Sequence, residues 1–318
     1  MTIRLCTDEL DVVLDEGRGA DILALIDRRS GLDVLFRTPW RARADALRAG
    51  QRPFTADETA GWLEGYRGGW QTLCPVAGDP ALVHGAPVPF HGEASIVPWS
   101  VDEHDTTTAT LHLELFSVPL RIERVVSLVG ARLSVTDTLV NLSAVELTVD
   151  YVHHPAFGGP FLDGDCVIET GARRFVNDPG HAGLFAAGRT VDWPLATTDD
   201  GTTVDLRTVP APGERRELFG WLDDFDDHWA SITNRDRGLT VRLAWDGASL
   251  PYAWLWEELN ATADFPWDQR ARTVAIEPAS VQTGGPARQS AAVVPASGRY
   301  PVSLTLTLEH HNSGVPHD

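Results

Sequence analysis

Apolar and polar residues alternate with a period of two over much of this chain. In Leu111-His112-Leu113-Glu114-Leu115 and in Val145-Glu146-Leu147-Thr148-Val149-Asp150-Tyr151, one set of alternate positions is apolar and the other mostly polar. Val241–Trp245 and Val302–Leu308 repeat the pattern. Successive side chains of a strand point to opposite faces, so these runs predict strands with one buried face, spread from near the start of the chain to near its end. Val129-Gly130-Ala131-Arg132 lies between two such runs and predicts a tight hairpin. Helical patterning is confined to Arg41–Ala49, stopped by Gly50, and to a turn or two over Ala56–Leu63. Neither segment is long enough to cover a parallel sheet. Strands punctuated by 28 glycines and 21 prolines, without strand–helix–strand alternation, predict an antiparallel sandwich or barrel. The polar, turn-rich Pro194–Gly213 reads as a long loop holding one strand. No fixed repeat, linker or low-complexity tract divides the chain, which predicts a single all-β domain over residues 1–318.

Charge narrows the partners. The chain has 45 acidic against 26 basic residues, a formal charge of -19, and every basic residue is arginine. A phosphate-tracking nucleic-acid binder or an anionic-membrane binder needs a field of the opposite sign, so the expected partner is neutral or small. Charges interrupt the apolar residues of the first ten positions, and no apolar run elsewhere approaches a membrane span, which predicts a cytoplasmic protein. Cys6, Cys74 and Cys166 are far apart and odd in number, as expected of reduced thiols rather than a disulfide frame or a zinc site.

Eleven tryptophans stand against four tyrosines, and several adjoin polar groups: Trp70 precedes Gln71, and Trp256 precedes Glu257. An indole offers a flat apolar face to the C–H face of a sugar ring while nearby amides and carboxylates take the hydroxyls; core packing is the ordinary alternative. Four stretches carry candidate chemistry: Gly68–Gly78, Phe90-His91-Gly92-Glu93-Ala94, Tyr151–Gly158 with His153-His154-Pro155-Ala156-Phe157, and Val274–Ser280. Glu277 follows Val274-Ala275-Ile276 at the end of a predicted buried strand, where burial raises a carboxyl toward general-base work. Of the two histidines only one can face a given cleft, because neighbours on a strand point apart.

Taken in order, these stretches resemble the galactose mutarotase-like superfamily, the aldose 1-epimerases and their relatives. The likeness is greatest to a bacterial branch with a His-His-Pro-Ala-Phe-Gly segment and a later Ile-Glu-Pro. It runs from the strands before Trp40 to the last strand. The resemblance implies a large antiparallel β-supersandwich and an enzyme that interconverts the α and β anomers of a free aldose without cofactor or metal. It implies Glu277 as the catalytic base, His154 as the acid through its spacing to Phe157, and His91 as a sugar-positioning histidine. Asp227 is the choice for the later sugar-binding aspartate, with Trp70, Gln71, Trp256 and Glu257 completing the expected sugar site. Pro278 after the base and the lack of an early Asn-Arg pair depart from the typical epimerase.

Rival chemistries lack their motifs. Asp223–Asp227 misses the alternation and central glycine of a calcium loop, and the adjacent pairs His153-His154 and His310-His311 make poor chelates. No GxSxG, GxxxxGK[ST] or GxGxxG occurs. Two alternatives share the resemblance: a non-catalytic carbohydrate-binding or sensor protein, and a carbohydrate hydrolase or lyase using Glu93 or Glu257 as a second carboxylate. A sugar phosphate needs converging arginines, for which Arg67, Arg173, Arg174 and Arg235 are available.

Overall fold

Strands follow one another from Ile3–Cys6 to Arg299–His310 in the computed structural model, which describes residues 2–285, 288 and 292–311. Eighteen strands join in one sheet that wraps around the core, and three two-stranded ribbons decorate it. The ladders that build the main sheet are antiparallel, as the alternation predicts. Val129 pairs with Arg132, closing the predicted hairpin through Gly130, whose φ of 57° only glycine adopts freely.

The helices are Arg41–Arg48 and Glu58–Gly65. The second starts two residues later than its sequence pattern, because the Asp57 side chain accepts from the Ala60 N–H at 2.8 Å and so caps it there. Pro194–Gly213 holds more strand than expected: Leu195–Thr197 and Thr203–Asp205 form a ribbon, and Thr208–Val209 joins the main sheet. No helix among the described residues is long and apolar enough to cross a membrane, and all three cysteines are free thiols.

Two apolar clusters lie on opposite sides of the central strands. Phe157, Val274 and Ile276 point into the larger one, with Leu14, Leu243 and Leu306. Val152, Ala156, Ala275 and Ala279 point the other way, toward Tyr66 and Trp254. Strand Val152–Gly158 is buried on both faces, which is why it shows no simple alternation in sequence. The alanines on the second face keep it low, and the space above them is the cleft described next.

Candidate active site

A cleft of about 420 Å³ opens over this second face. Four strands place its side chains by alternation, Val152–Gly158 supplying His154. Tyr252–Leu259 supplies Trp254, Trp256 and Glu258; Arg216–Asn234 supplies Glu217 and Phe219; Arg272–Ala279 supplies Glu277. Pairing of Phe219 with Trp256, and of Trp256 with Ala275, stacks an aromatic wall over a small floor residue. Trp62, Tyr66, Phe90 and Trp267 complete the apolar lining. Where Gly78 meets Gly284, a Cβ on the first would lie 2.5 Å from the Cα of the second, so the cleft wall closes here only between glycines.

His154 and Glu277 face each other inside this cleft, with Nε2 3.6 Å from Oε1. The pairings Val152 with Ala279 and Ala156 with Ala275 bracket them on adjacent antiparallel strands. Both are buried, and Glu277 Oε2 has no partner among the described residues. Burial alone pushes the Glu277 carboxyl well above the ordinary carboxylate range, and burial brings His154 down to about 4. The pair therefore holds one proton, on the carboxyl, in the protein by itself. Moving that proton to the imidazole creates the carboxylate and imidazolium that an acid–base exchange uses.

His91 stands beside them, its ring 6.0 Å from that of His154 and 4.5 Å from the Trp62 ring. Its backbone is left-handed, φ 61°, and is clamped to Gly78: its N–H donates to the Gly78 carbonyl, and its Nδ1 accepts from the Gly78 N–H at 3.0 Å. Burial holds this ring well below the usual histidine range, so it is neutral. With Nδ1 accepting, the ring proton sits on Nε2, a donor for a hydroxyl or ring oxygen. Tyr66 lines the cleft with its ring 5.9 Å from His154, and its buried hydroxyl also lacks a partner among the described residues.

The other expected residues divide. Trp256 lines the cleft. Trp70 does not: it is in the larger core, where its Nε1–H donates to His153 Nδ1 at 3.1 Å. His153 thereby presents Nε2 to Asp137 at 3.0 Å, within a buried group that also holds Arg124 and Tyr151. Gln71 is buried beneath the cleft rather than lining it, with its amide donating to the Gly68 carbonyl at 2.9 Å. Glu257 points to the face opposite Trp256 and pairs with Arg216 at 2.8 Å. Asp227 is exposed on an acidic stretch whose Asp223 and Asp226 pair with Arg174 and Arg173. Strand geometry explains the last two of these four: Glu257 cannot share a face with Trp256, and Asp227 lies on the strand beyond its cleft-lining part.

Glu93 is likewise engaged elsewhere, accepting from the Ser117 N–H and hydroxyl at 2.9 and 2.6 Å. The acidic cleft residues that sequence reading missed are Asp79, Asp178, Glu217 and Glu258. Asp178 accepts from the Thr283 hydroxyl and the Gly180 N–H at 2.6 and 2.7 Å, and Glu258 from the Ala261 N–H at 2.8 Å and the Thr262 hydroxyl. Glu258 had a signal in the period-two set Trp254, Trp256, Glu258; Asp178 sits in a loop and had none. No arginine lines the cleft among the described residues. Arg67 pairs with Asp15, and Arg173, Arg174 and Arg235 pair with surface aspartates. The described residues contain no group of three or more His, Cys, Asp or Glu arranged to hold a metal.

The fold has known relatives. Slr1438 from Synechocystis sp. PCC 6803 superposes with a TM-score of 0.71 at 18% identity, over 98% of this chain and 96% of that one. A galactose mutarotase-like protein from Lactobacillus casei ATCC 334 gives 0.66 at 17%, over 97% and 100%. An aldose epimerase homologue from C. elegans gives 0.66 at 15%, over 98% and 99%. These likenesses establish a galactose mutarotase-like fold. No curated protein sequence matches the chain. A family model described as Domain of unknown function (DUF4432) matches residues 9–296. The chain thus belongs to the DUF4432 family and carries it on a galactose mutarotase-like β-sandwich.

Proposed function

We propose that the protein is an aldose 1-epimerase-like isomerase that interconverts the α and β anomers of a neutral monosaccharide. The reading is carried by one observation: His154 Nε2 and Glu277 Oε1 lie 3.6 Å apart, buried in a cleft walled by aromatic rings. Glu277, as carboxylate, removes the proton of the anomeric hydroxyl while His154, as imidazolium, protonates the ring oxygen. The C1–O5 bond breaks, the C1–C2 bond rotates, and closure with the two groups exchanging roles returns both protons. No redox partner enters the balance. His91 donates from Nε2 to hold the sugar, and Trp256 with its neighbours covers a ring face.

Two further features support the reading. Asp178 and Glu258 are both tied by backbone and threonine donors, which among the described residues leaves Glu277 as the buried cleft carboxyl with a free oxygen and favours one carboxyl plus one imidazole over a two-carboxylate hydrolase. A cleft lined by Asp79, Asp178, Glu217 and Glu258, with no arginine among the described lining residues, suits a sugar without phosphate or carboxylate. The test is a panel of freshly dissolved pure anomers, neutral, phosphorylated and uronic, followed by NMR. Accelerated exchange of at least one neutral aldose is expected, without added metal. Parent protein that accelerates none of them contradicts the proposal.

A further inference from the structure

Four aromatic side chains close a circuit in the cleft wall. Tyr66 stacks on Trp62, with ring centroids 4.9 Å apart and planes 23° from parallel, and meets His154 edge-on at 5.9 Å. His91 completes the circuit, 4.5 Å from Trp62 and 6.0 Å from His154. All four line the cleft, and Glu277 meets the circuit at His154. Trp62 Nε1–H donates to the Ser95 hydroxyl at 3.0 Å, His91 Nδ1 accepts from the Gly78 N–H, and His154 Nε2 faces Glu277. Two polar atoms of the circuit have no partner among the described residues, His154 Nδ1 and the Tyr66 hydroxyl. The first belongs to the assigned acid. The second takes no part in the exchange between His154 and Glu277.

Everything around Tyr66 fixes its position except a bond to its hydroxyl. The residue follows helix Glu58–Gly65 directly; its N–H donates to the Leu63 carbonyl at 3.1 Å, and its carbonyl accepts from the Thr38 hydroxyl at 2.9 Å. With the backbone pinned on both sides and the ring packed against Trp62 and His154, the side chain is held in one place, and the residue is 3% exposed. A buried polar group without a partner is rare and lowers the stability of the free protein. Burial, with the Glu277 charge second, holds the phenol well above its ordinary value near 10. It therefore keeps its proton and serves as a donor, not as a base.

We propose that the Tyr66 hydroxyl is a catalytic donor that hydrogen-bonds the anomeric oxygen of the bound aldose. The proposal rests on the acid–base reading of His154 and Glu277 given above. When Glu277 takes the anomeric proton, the O1–H bond breaks and negative charge grows on O1 as the C1=O1 double bond forms. The C1–O5 bond breaks at the same time, and O5 takes the proton of His154. The pair thus serves the leaving proton and O5, and gives O1 no donor while its charge grows. Tyr66, edge-on to His154, supplies that donor and keeps its own proton throughout, so the balance of the exchange is unchanged. A donor already fixed in place needs no reorganisation at the moment of reaction.

The experiment compares the full-length parent with Tyr66→Phe, which removes the hydroxyl and keeps the ring. It reads anomer-exchange kcat and KM by NMR, neutral-aldose affinity by calorimetry, and thermal melting. Expected are a kcat loss on the order of 10², sugar binding weaker by roughly two- to tenfold, and a melting temperature equal to the parent's or higher, since the lost hydroxyl had no partner to give up. A hydroxyl with a merely structural role predicts the opposite pattern, parent kcat with a lower melting temperature, and that result overturns the proposal. So does a Tyr66→Phe protein that fails to fold. Equal exchange rates in parent and Tyr66→Phe overturn the contact and leave the epimerase reading standing. A parent that binds a neutral aldose without exchanging its anomers overturns the epimerase reading, and the contact then stands if Tyr66→Phe binds that aldose more weakly and falls if it binds equally. A parent that neither binds nor exchanges any aldose overturns both.

Discussion

His153 and His154 are neighbours in the chain and occupy separate compartments: His153 Nε2 lies 3.0 Å from Asp137 in the larger core, and His154 Nε2 lies 3.6 Å from Glu277 in the cleft. Strand geometry imposes the separation, and it makes the two rings distinguishable by experiment.

His154→Asn is expected to lose most anomer exchange, on the order of 10²–10⁴ as for other acid–base groups, with melting nearly unchanged. His153→Asn is expected to do the reverse. It removes the acceptor of the Trp70 indole and a neighbour of Asp137, at a cost of about 1–3 kcal/mol in stability. Paired rate and melting measurements check this, and equal rate losses in both variants would count against the assignment.

Glu257 and Glu258 form a second such pair. Glu257→Ala leaves Arg216, whose side chain is only 10% exposed, without its buried partner, so a loss of about 3–5 kcal/mol is expected with sugar affinity retained by the folded fraction. Glu258→Gln is expected to weaken sugar binding with a smaller effect on stability. Calorimetric binding beside denaturant unfolding separates the two.

The alternation that identified the strands extends to the site, and its misuse accounts for the misplacing of Glu257. Trp254, Trp256 and Glu258 are a period-two set in the sequence, and pairing Trp256 with Glu257 broke that rule. Trp70 and Gln71 were legible as a polar–aromatic pair, but nothing local tells which face of a doubly buried strand meets a cleft; that depends on the Val152–Gly158 strand beside them. Glu277, His154 and His91 were placed by the order of motifs, and all three line the cleft. Asp178 owes its position to the long-range bond with Thr283, which local pattern does not encode.

Acid stability offers a test independent of activity. His154 is held neutral down to about 4, against an ordinary value near 6.5. Below 6.5 the unfolded chain binds a proton that the folded one refuses, so stability falls with pH across that window and the loss is complete below about 4. His154→Asn should make stability less steep between pH 6.5 and 4 in urea unfolding. An unchanged slope would mean that the ring titrates normally in the fold.

Charge selectivity follows from the cleft lining. Tryptophan fluorescence is expected to report binding of a neutral aldose to Trp256 and Trp267, and little or none of its 6-phosphate at equal concentration. Tighter binding of the phosphate would contradict the neutral-sugar assignment.

The most direct test of the central claim is NMR anomer exchange, from a pure anomer of a neutral aldose, with parent protein and Glu277→Gln side by side. The amide is nearly isosteric and cannot accept the anomeric proton. The account predicts accelerated exchange by the parent and a loss on the order of 10²–10⁴ in the variant, with melting and sugar binding retained. Exchange by Glu277→Gln at the parent rate would contradict it.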